Sequence, residues 1–179
     1  WGASPGDLIA NSVGSLACIS QQLKWNEQRA QIKFSTHPAK YSADLLPRVH
    51  DLYGTGFSQL WLKDYNAQTY WLSINPNSFI TPSKQKLPDW LNISVGYGAD
   101  GMFGGYQNAW VNATGDSVLR YDIARTRQFY IAPDIDFTKI KTRSHFLCTI
   151  FFMANALKFP APAIEINNSG KFKFHPIYF

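Results

Sequence analysis

The 179 residues suit a single domain with a real core, and no apolar run is long enough for a transmembrane helix. Charged residues make up only 16%, against roughly 25% in a typical soluble domain, while hydrophobic content is an ordinary 45%. The formal charge of +5 comes without any nucleic-acid-binding motif, which argues against nucleic acid and leaves anionic lipid, an acidic partner or an ordinary solvated surface.

Tyr, Trp, Asn, Ser, Thr and Gly take the place of the missing charge. That balance is common in antiparallel β proteins of the cell envelope and is compatible with a secreted binding domain. The chain opens on Trp1 and enters a helix start almost at once, so residues 1–179 read as one domain, the C-terminal part of a longer exported protein. In Ser4-Pro5-Gly6-Asp7, Ser4 can cap, Pro5 suits the first helical position, and Asp7 sits three residues after the cap. The helix should run to about Trp25. Leu8, Ile9, Val13, Leu16, Ala17 and Leu23 form its apolar stripe, and Asp7, Asn11 and Gly14 line an adjacent side.

From Ala30 the period changes from 3.6 to 2, and Ala30–Thr36 alternates Ile32 and Phe34 with Gln31, Lys33 and Ser35. Residues 37–58 hold Pro38, Pro47, Gly54 and Gly56 and read as a long loop. Strand patterns return at Gln68–Asn75 and at Asn92–Gly98, where Ile93, Val95 and Tyr97 oppose Ser94, Gly96 and Gly98. The clearest strand is Arg127–Phe137. Phe129, Ile131, Ile135 and Phe137 share one face, while Gln128, Tyr130, Asp134 and Asp136 share the other. Its length fits a tilted bilayer span or a curled sheet with one wet face, and Pro133 predicts an edge or a bulge. Residues 144–159 read as a second, very apolar helix stopped by Pro160 and Pro162. The tail 171–179 alternates, with Phe179 on the face of Lys171, Lys173 and His175. The resulting fold class is α+β: an N-terminal helix, antiparallel strands that could close into an outer-membrane-type barrel, and an apolar helix near the C-terminus.

Chemistry-bearing motifs are sparse. His37, His50, His145 and His175 form no metal-ligand spacing, and no G-x-S-x-G elbow or Walker loop occurs. Gly96, Gly98 and Gly101 match a dinucleotide fingerprint only loosely and open no helix, so close packing, a turn or a bulge explains them better. Asp134-x-Asp136 resembles a metal-binding acidic pair, yet strand alternation alone points both carboxylates to a wet side. Cys18 and Cys148, in apolar stretches, read as free buried thiols. Basic residues gather at Lys139, Lys141 and Arg143 and at Arg120, Arg125 and Arg127. No cofactor or metal is called for. Asp7 and Asn11, one turn apart, could hold a polar head group or activate water. The plainer reading makes Asp7 a cap and Asp7, Asn11 and Gly14 a docking side.

Four stretches carry a family resemblance: WGASPGDLIANSVG, KDYNAQTYWLSIN, LPDWLNISVGYGADGMFGG and PAPAIEI with FHPIYF. They resemble a Bacteroidota family of unknown function related to the YfiM-like predicted periplasmic lipoproteins. The resemblance implies an export signal, upstream helices with an Asp-Lys-x-Gly-His motif that this sequence lacks, and a Gram-negative envelope location. It implies no activity. Two functions are expected from all of this. The first is a non-catalytic accessory subunit at the outer membrane that braces, seals or plugs a larger complex, for example a type IX secretion translocon. The second is an envelope enzyme acting on lipid or glycan through Asp7 and Asn11.

Overall fold

The computed structural model describes residues 4–80 and 87–179; Trp1, Gly2 and Ala3 of the first resemblance block lie outside them. In chain order the elements are helix α1 (Pro5–Trp25), strand β1 (Ala30–Thr36), helices α2 (Leu46–Tyr53) and α3 (Phe57–Lys63), and strands β2 (Gln68–Ile74) and β3 (Leu91–Asp100). The short hairpin β4 (Ala109–Val111) and β5 (Ser117–Leu119) follows, then β6 (Thr126–Ile135), helix α4 (His145–Ala154), β7 (Ala161–Asn167) and β8 (Phe172–Tyr178). Six strands form one sheet in the order β1-β2-β3-β6-β7-β8, every neighbour antiparallel. The sheet curls but does not close into a barrel: β8 pairs with β7 alone, and β1 pairs with β2. Residues 156–158 add one parallel bridge to the outer edge of β1, where Phe34 N–H donates to Ala156 O and Lys158 N–H to Phe34 O.

Helix α1 forms for the reason its first residues suggest. Ser4 Oγ accepts the Asp7 N–H at 3.2 Å, and the Asp7 carboxylate accepts Ser4 N–H at 3.0 Å, a reciprocal capping box. Asn26, left-handed at φ 54°, ends it. No residue of α1 is buried, and among the described residues Leu8, Ile9, Val13, Leu16 and Leu23 of its apolar stripe stay exposed. The helix is tied to the sheet by Gln21, which accepts the N–H groups of Arg29 and Ala30 and donates to Ala30 O. Arg29 also lies over the Trp25 ring.

The strand alternation holds, but its faces are inverted relative to a water-soluble sheet. Partners across the strands align Phe34, Tyr70, Tyr97, Phe129, Ile166 and Phe172 in one outward row. The next outward row is Ile32, Leu72, Val95, Ile131, Ile164 and Phe174. Val95 and Ile131 are about half exposed, and Ile32 and Phe174 more so. The inward rows are polar, small or aromatic with a polar tip. Lys33, Trp71, Gly96, Tyr130 and Glu165 are adjacent across five strands, and Ser73, Ser94, Ala132 and Ala163 lie beside them. The inner apolar cluster is only Trp71, Tyr130, Ala132, Ala163 and Tyr178.

Several expectations need correction. Residues 37–58 are not one loop. Pro47 begins α2 because its missing N–H costs nothing in a first turn, and Leu45, Val49 and Tyr53 bury themselves against Phe103. The apolar helix near the C-terminus stops at Ala154, since the backbone of 156–158 is committed to Phe34. Pro133 lies in an interior strand, but the β6–β7 ladder runs only from Gln128 to Ile131, so Pro133 has a strand partner on the β3 side alone. In β8, the four residues His175–Tyr178 oppose the three residues Ala161–Ala163, and this bulge turns His175 and Tyr178 inward together. Both cysteines are exposed rather than buried.

Gly96 and Gly101 are among the glycines required sterically. A Cβ on Gly96 would stand 2.7 Å from the Trp71 ring, and one on Gly101, at φ 72°, would meet Ala124 O. Gly96→Val is therefore expected to destabilise the fold by about 1–3 kcal/mol, the usual range for overpacking, read as a lower denaturant midpoint. An unchanged midpoint would show that Trp71 is not fixed against β3.

Candidate functional site

The inward wall holds two polar groupings. At the α1 end of the sheet, Asp134 takes Lys33 Nζ at 2.9 Å on one oxygen, with Lys158 Nζ at 3.6 Å from the other. Ser73 Oγ donates to it at 2.6 Å and Phe159 N–H at 3.2 Å. Lys33 also donates to Ile135 O and Asn155 Oδ1. Lys158 donates to Pro133 O and Phe159 O and lies 5.1 Å from the centre of the Trp71 ring. Asp136, fully buried, accepts from Gln31 Nε2 and from both the N–H and hydroxyl of Thr138. Two lysines and two carboxylates thus sit inside the curled sheet with every charge hydrogen-bonded, as burial of charge demands.

This corrects the reading of Asp134 and Asp136. Both do share one face, but that face is enclosed, and its side chains are spent on Lys33, Lys158, Ser73, Gln31 and Thr138. No oxygen pair is presented to a metal. Among the described residues no group of three or more His, Cys, Asp or Glu side chains is placed to hold a metal ion.

The second grouping lies toward the α2 end, around a cavity of about 450 Å³. His175 Nε2 is 2.6 Å from Glu165 Oε2, and Gln128 Nε2 donates to Glu165 Oε1 at 3.1 Å, so both oxygens of this buried carboxylate are engaged. Tyr178 stacks on Tyr130 at 4.5 Å between centroids, and its hydroxyl is 2.9 Å from Thr69 Oγ1. His37 completes the wall, 5.5 Å from the Tyr178 ring. Burial holds the His37 pKa below the usual histidine value, with the nearby Asp100 and Asp64 carboxylates opposing. Burial likewise raises Asp64 above its usual range, although Tyr41 donates to it at 2.5 Å. The arrangement offers the carboxylate-oriented imidazole of His175, the buried imidazole of His37 and two phenols. These groups can hold a polar head or move a proton. Among the described residues no serine or cysteine hydrogen-bonds to either imidazole.

The sequence-derived candidates fall elsewhere. Asp7 is a cap, bonded only to Ser4; Asn11 is exposed; and a Cβ on Gly14 would meet nothing within 4 Å. They lie on α1, none of whose residues is buried, and none of them bonds to His175 or Glu165 among the described residues. The basic runs are partly consumed internally. Lys139 pairs with Glu27, Arg120 with Asp44 and Asp122, and Arg125 donates to Gly104 O and Gly105 O, while Lys141 and Arg143 are exposed. Glu165 escaped notice because Ala161–Asn167 was not read as a strand, although Ala161, Ala163 and Glu165 alternate with Pro162, Ile164 and Ile166.

Comparison with protein-family models, with curated proteins and with solved structures found no match. The geometry alone therefore bears on what the site does.

Asp134→Asn leaves Lys33 and Lys158 buried without a counter-charge. It should cost about 3–5 kcal/mol, the usual penalty for breaking a buried pair, and be read as loss of the folded baseline in a denaturant titration. A change below the error of that titration would show the cluster to be hydrated. A second expectation concerns pH. A histidine held below its ordinary value contributes stability that is present above about pH 6.5 and is lost as pH falls toward its folded value. His37→Gln should flatten that acid-side decline in melting temperature between neutral pH and pH 5, and an unaltered slope would assign the decline to another group.

Proposed function

We propose that this chain is an accessory, non-catalytic subunit of the outer membrane of a Gram-negative envelope, bracing, sealing or plugging a larger complex. The observation that carries the proposal is the inverted sheet. Aromatic side chains form one outward row and aliphatic side chains the next, over a polar interior. A water-exposed sheet points its polar face outward, whereas a lipid-facing strand alternates apolar out and polar in, with aromatics gathered toward an interface. The ten residues of β3, at roughly 3.3 Å each, extend about 33 Å, or about 25 Å at the tilt of barrel strands, which matches the apolar band of such proteins. Among the described residues no helix is long and apolar enough to cross a membrane, so the sheet is the element that would enter lipid.

The open edge supports a partner. Backbone N–H and C=O groups cannot be left unpaired in a bilayer, and among the described residues the outer edge of β8 has no strand beside it. A neighbouring subunit that supplies or covers that edge satisfies those groups. The exposed faces of α1 and of α4, with Phe146, Phe152 and Met153 outward, are further apolar surface for such a neighbour. Exposed Lys141 and Arg143, just before α4, suit anionic lipid head groups. The family resemblance adds the same location. A second reading, an envelope enzyme acting on lipid or glycan, draws on the His175–Glu165 pair rather than on Asp7 and Asn11.

The test is flotation of the purified chain with lipid vesicles. Wild type should float, and Val95→Lys, which places a charge in the middle of the aliphatic row, should weaken insertion by about 2–4 kcal/mol, while Ser94→Ala on the inner face should not. Wild type that stays monodisperse in buffer and does not float would overturn the proposal. Retention of vesicle binding by Val95→Lys would move the contact to another surface.

A further inference from the structure

Two cavities at the α2 end share a wall. The first, about 230 Å³, lies between the end of β1 and helices α2 and α3, with Val49, Phe57, Leu60 and Trp61 as its apolar sides. The second is the polar cavity of about 450 Å³ above the inner wall, where Lys40 and Lys173 accompany the His175–Glu165 pair. His37, Pro38, Ala39 and Tyr41 line both. The segment directly after β1 therefore separates an apolar chamber from a charged one. Taken together, the two match the size of ordinary small-molecule sites, about 300–1,000 Å³.

We propose that these adjoining cavities open to one another past the shared wall and bind a single-chain amphiphile with an anionic head, its alkyl chain between α2 and α3 and its head beside Lys40 and Lys173. Each half of the ligand answers to something present. The apolar chamber gains by excluding water, because its sides offer little polar surface to hold it. At about 230 Å³ it is the smaller of the two chambers and suits one alkyl chain. In the polar chamber the Glu165 oxygens are already taken by His175 and Gln128, and Asp100 is turned to the Gly101 N–H at 2.7 Å. Both lysines are exposed at the cavity and are the cations there that an anionic head can reach. At the shared wall, His37 Nδ1 is buried with no hydrogen-bond partner among the described residues. A buried polar atom left unsatisfied is costly, and the head group of a ligand passing that wall would satisfy it. Burial keeps this imidazole neutral near pH 7, so it can bond to a head group without carrying a charge into the partition. The inference stands on the cavities and does not depend on whether the sheet enters lipid.

The experiment is equilibrium binding to the purified full chain, in uncharged nanodiscs with empty discs as the partition control, or in buffer if the protein proves soluble there. Carboxyl-labelled dodecanoate is followed by ¹³C NMR and dodecyl phosphate by ³¹P NMR, which separates a carboxylate from a phosphate head; 1-dodecanol competition supplies the uncharged comparison. Both anions, or one of them, should saturate one site. Ala39→Trp, which fills the junction, should weaken binding at least about tenfold, a loss of about 1.4 kcal/mol. The double variant Lys40→Gln with Lys173→Gln should weaken the anions by a similar factor and leave dodecanol competition unchanged. Should Ala39→Trp lose its near-ultraviolet circular dichroism, the double variant decides alone, since both lysines are exposed. Absence of saturable binding above the control, equal affinity for dodecanol, or anion binding unchanged in the double variant would each overturn the proposal.

Discussion

Asp134 between Lys33 and Lys158 is the constraint from which the rest of this fold follows. Lys33 is on β1 and Asp134 on β6, three strands further along the sheet, so their 2.9 Å contact requires the sheet to curl until its first strand looks across at its fourth. Lys158 arrives from the connection after α4, and the same residue gives its N–H to Phe34 O on the edge of β1. One ion cluster thus sets the curvature, ends α4 early and covers part of one sheet edge. Buried charge is weak evidence for stability in itself, because desolvation offsets much of the attraction. Here it fixes geometry: no slipped register brings Lys33, Ser73 and Asp134 to the same place.

A polar interior also dictates the exterior. With a period of two, every residue turned toward Asp134 or Glu165 sends its neighbours outward, and those neighbours are Ile93, Val95, Tyr97, Phe129, Ile131, Ile164 and Ile166. The apolar surface is therefore a consequence of the same alternation that satisfies the charges. The two proposals divide along this wall. The outside offers aromatic and aliphatic rows suited to lipid or an apolar partner, while the inside offers imidazole, carboxylate and ammonium groups around a cavity adjoined by an apolar chamber.

Much of the local structure was legible in the residues. The Ser4–Asp7 cap, the limits of β1 and the two faces of β3 and β6 follow from capping chemistry and alternation, which act between near neighbours. What escaped depended on distant residues. Alternation separates Asp134 and Asp136 from Ile131 and Ile135, but it cannot say which side is enclosed; Lys33, about a hundred positions away, decides that. Helix α2 forms in a Pro- and Gly-containing stretch because Phe103 receives Leu45, Val49 and Tyr53. The pairing of His175 with Glu165 requires the β7–β8 register, and the placing of Tyr178 beside them requires a one-residue bulge that strict alternation conceals. The expected barrel is a curled sheet with an open edge, since strand count and closure are properties of pairing rather than of any one strand.

The central claim is that the sheet wears its apolar face outward against lipid. Nitroxide labels placed singly along β3 and β6 at Ser94, Val95, Phe129, Tyr130, Ile131 and Ala132, in protein bound to vesicles, test it most directly through collision with oxygen and with a water-soluble nickel chelate. The account predicts a period of two, with Val95, Phe129 and Ile131 open to oxygen and closed to nickel, and Ser94, Tyr130 and Ala132 shielded from oxygen. Equal access of nickel to both sets, or the opposite phase, would contradict it.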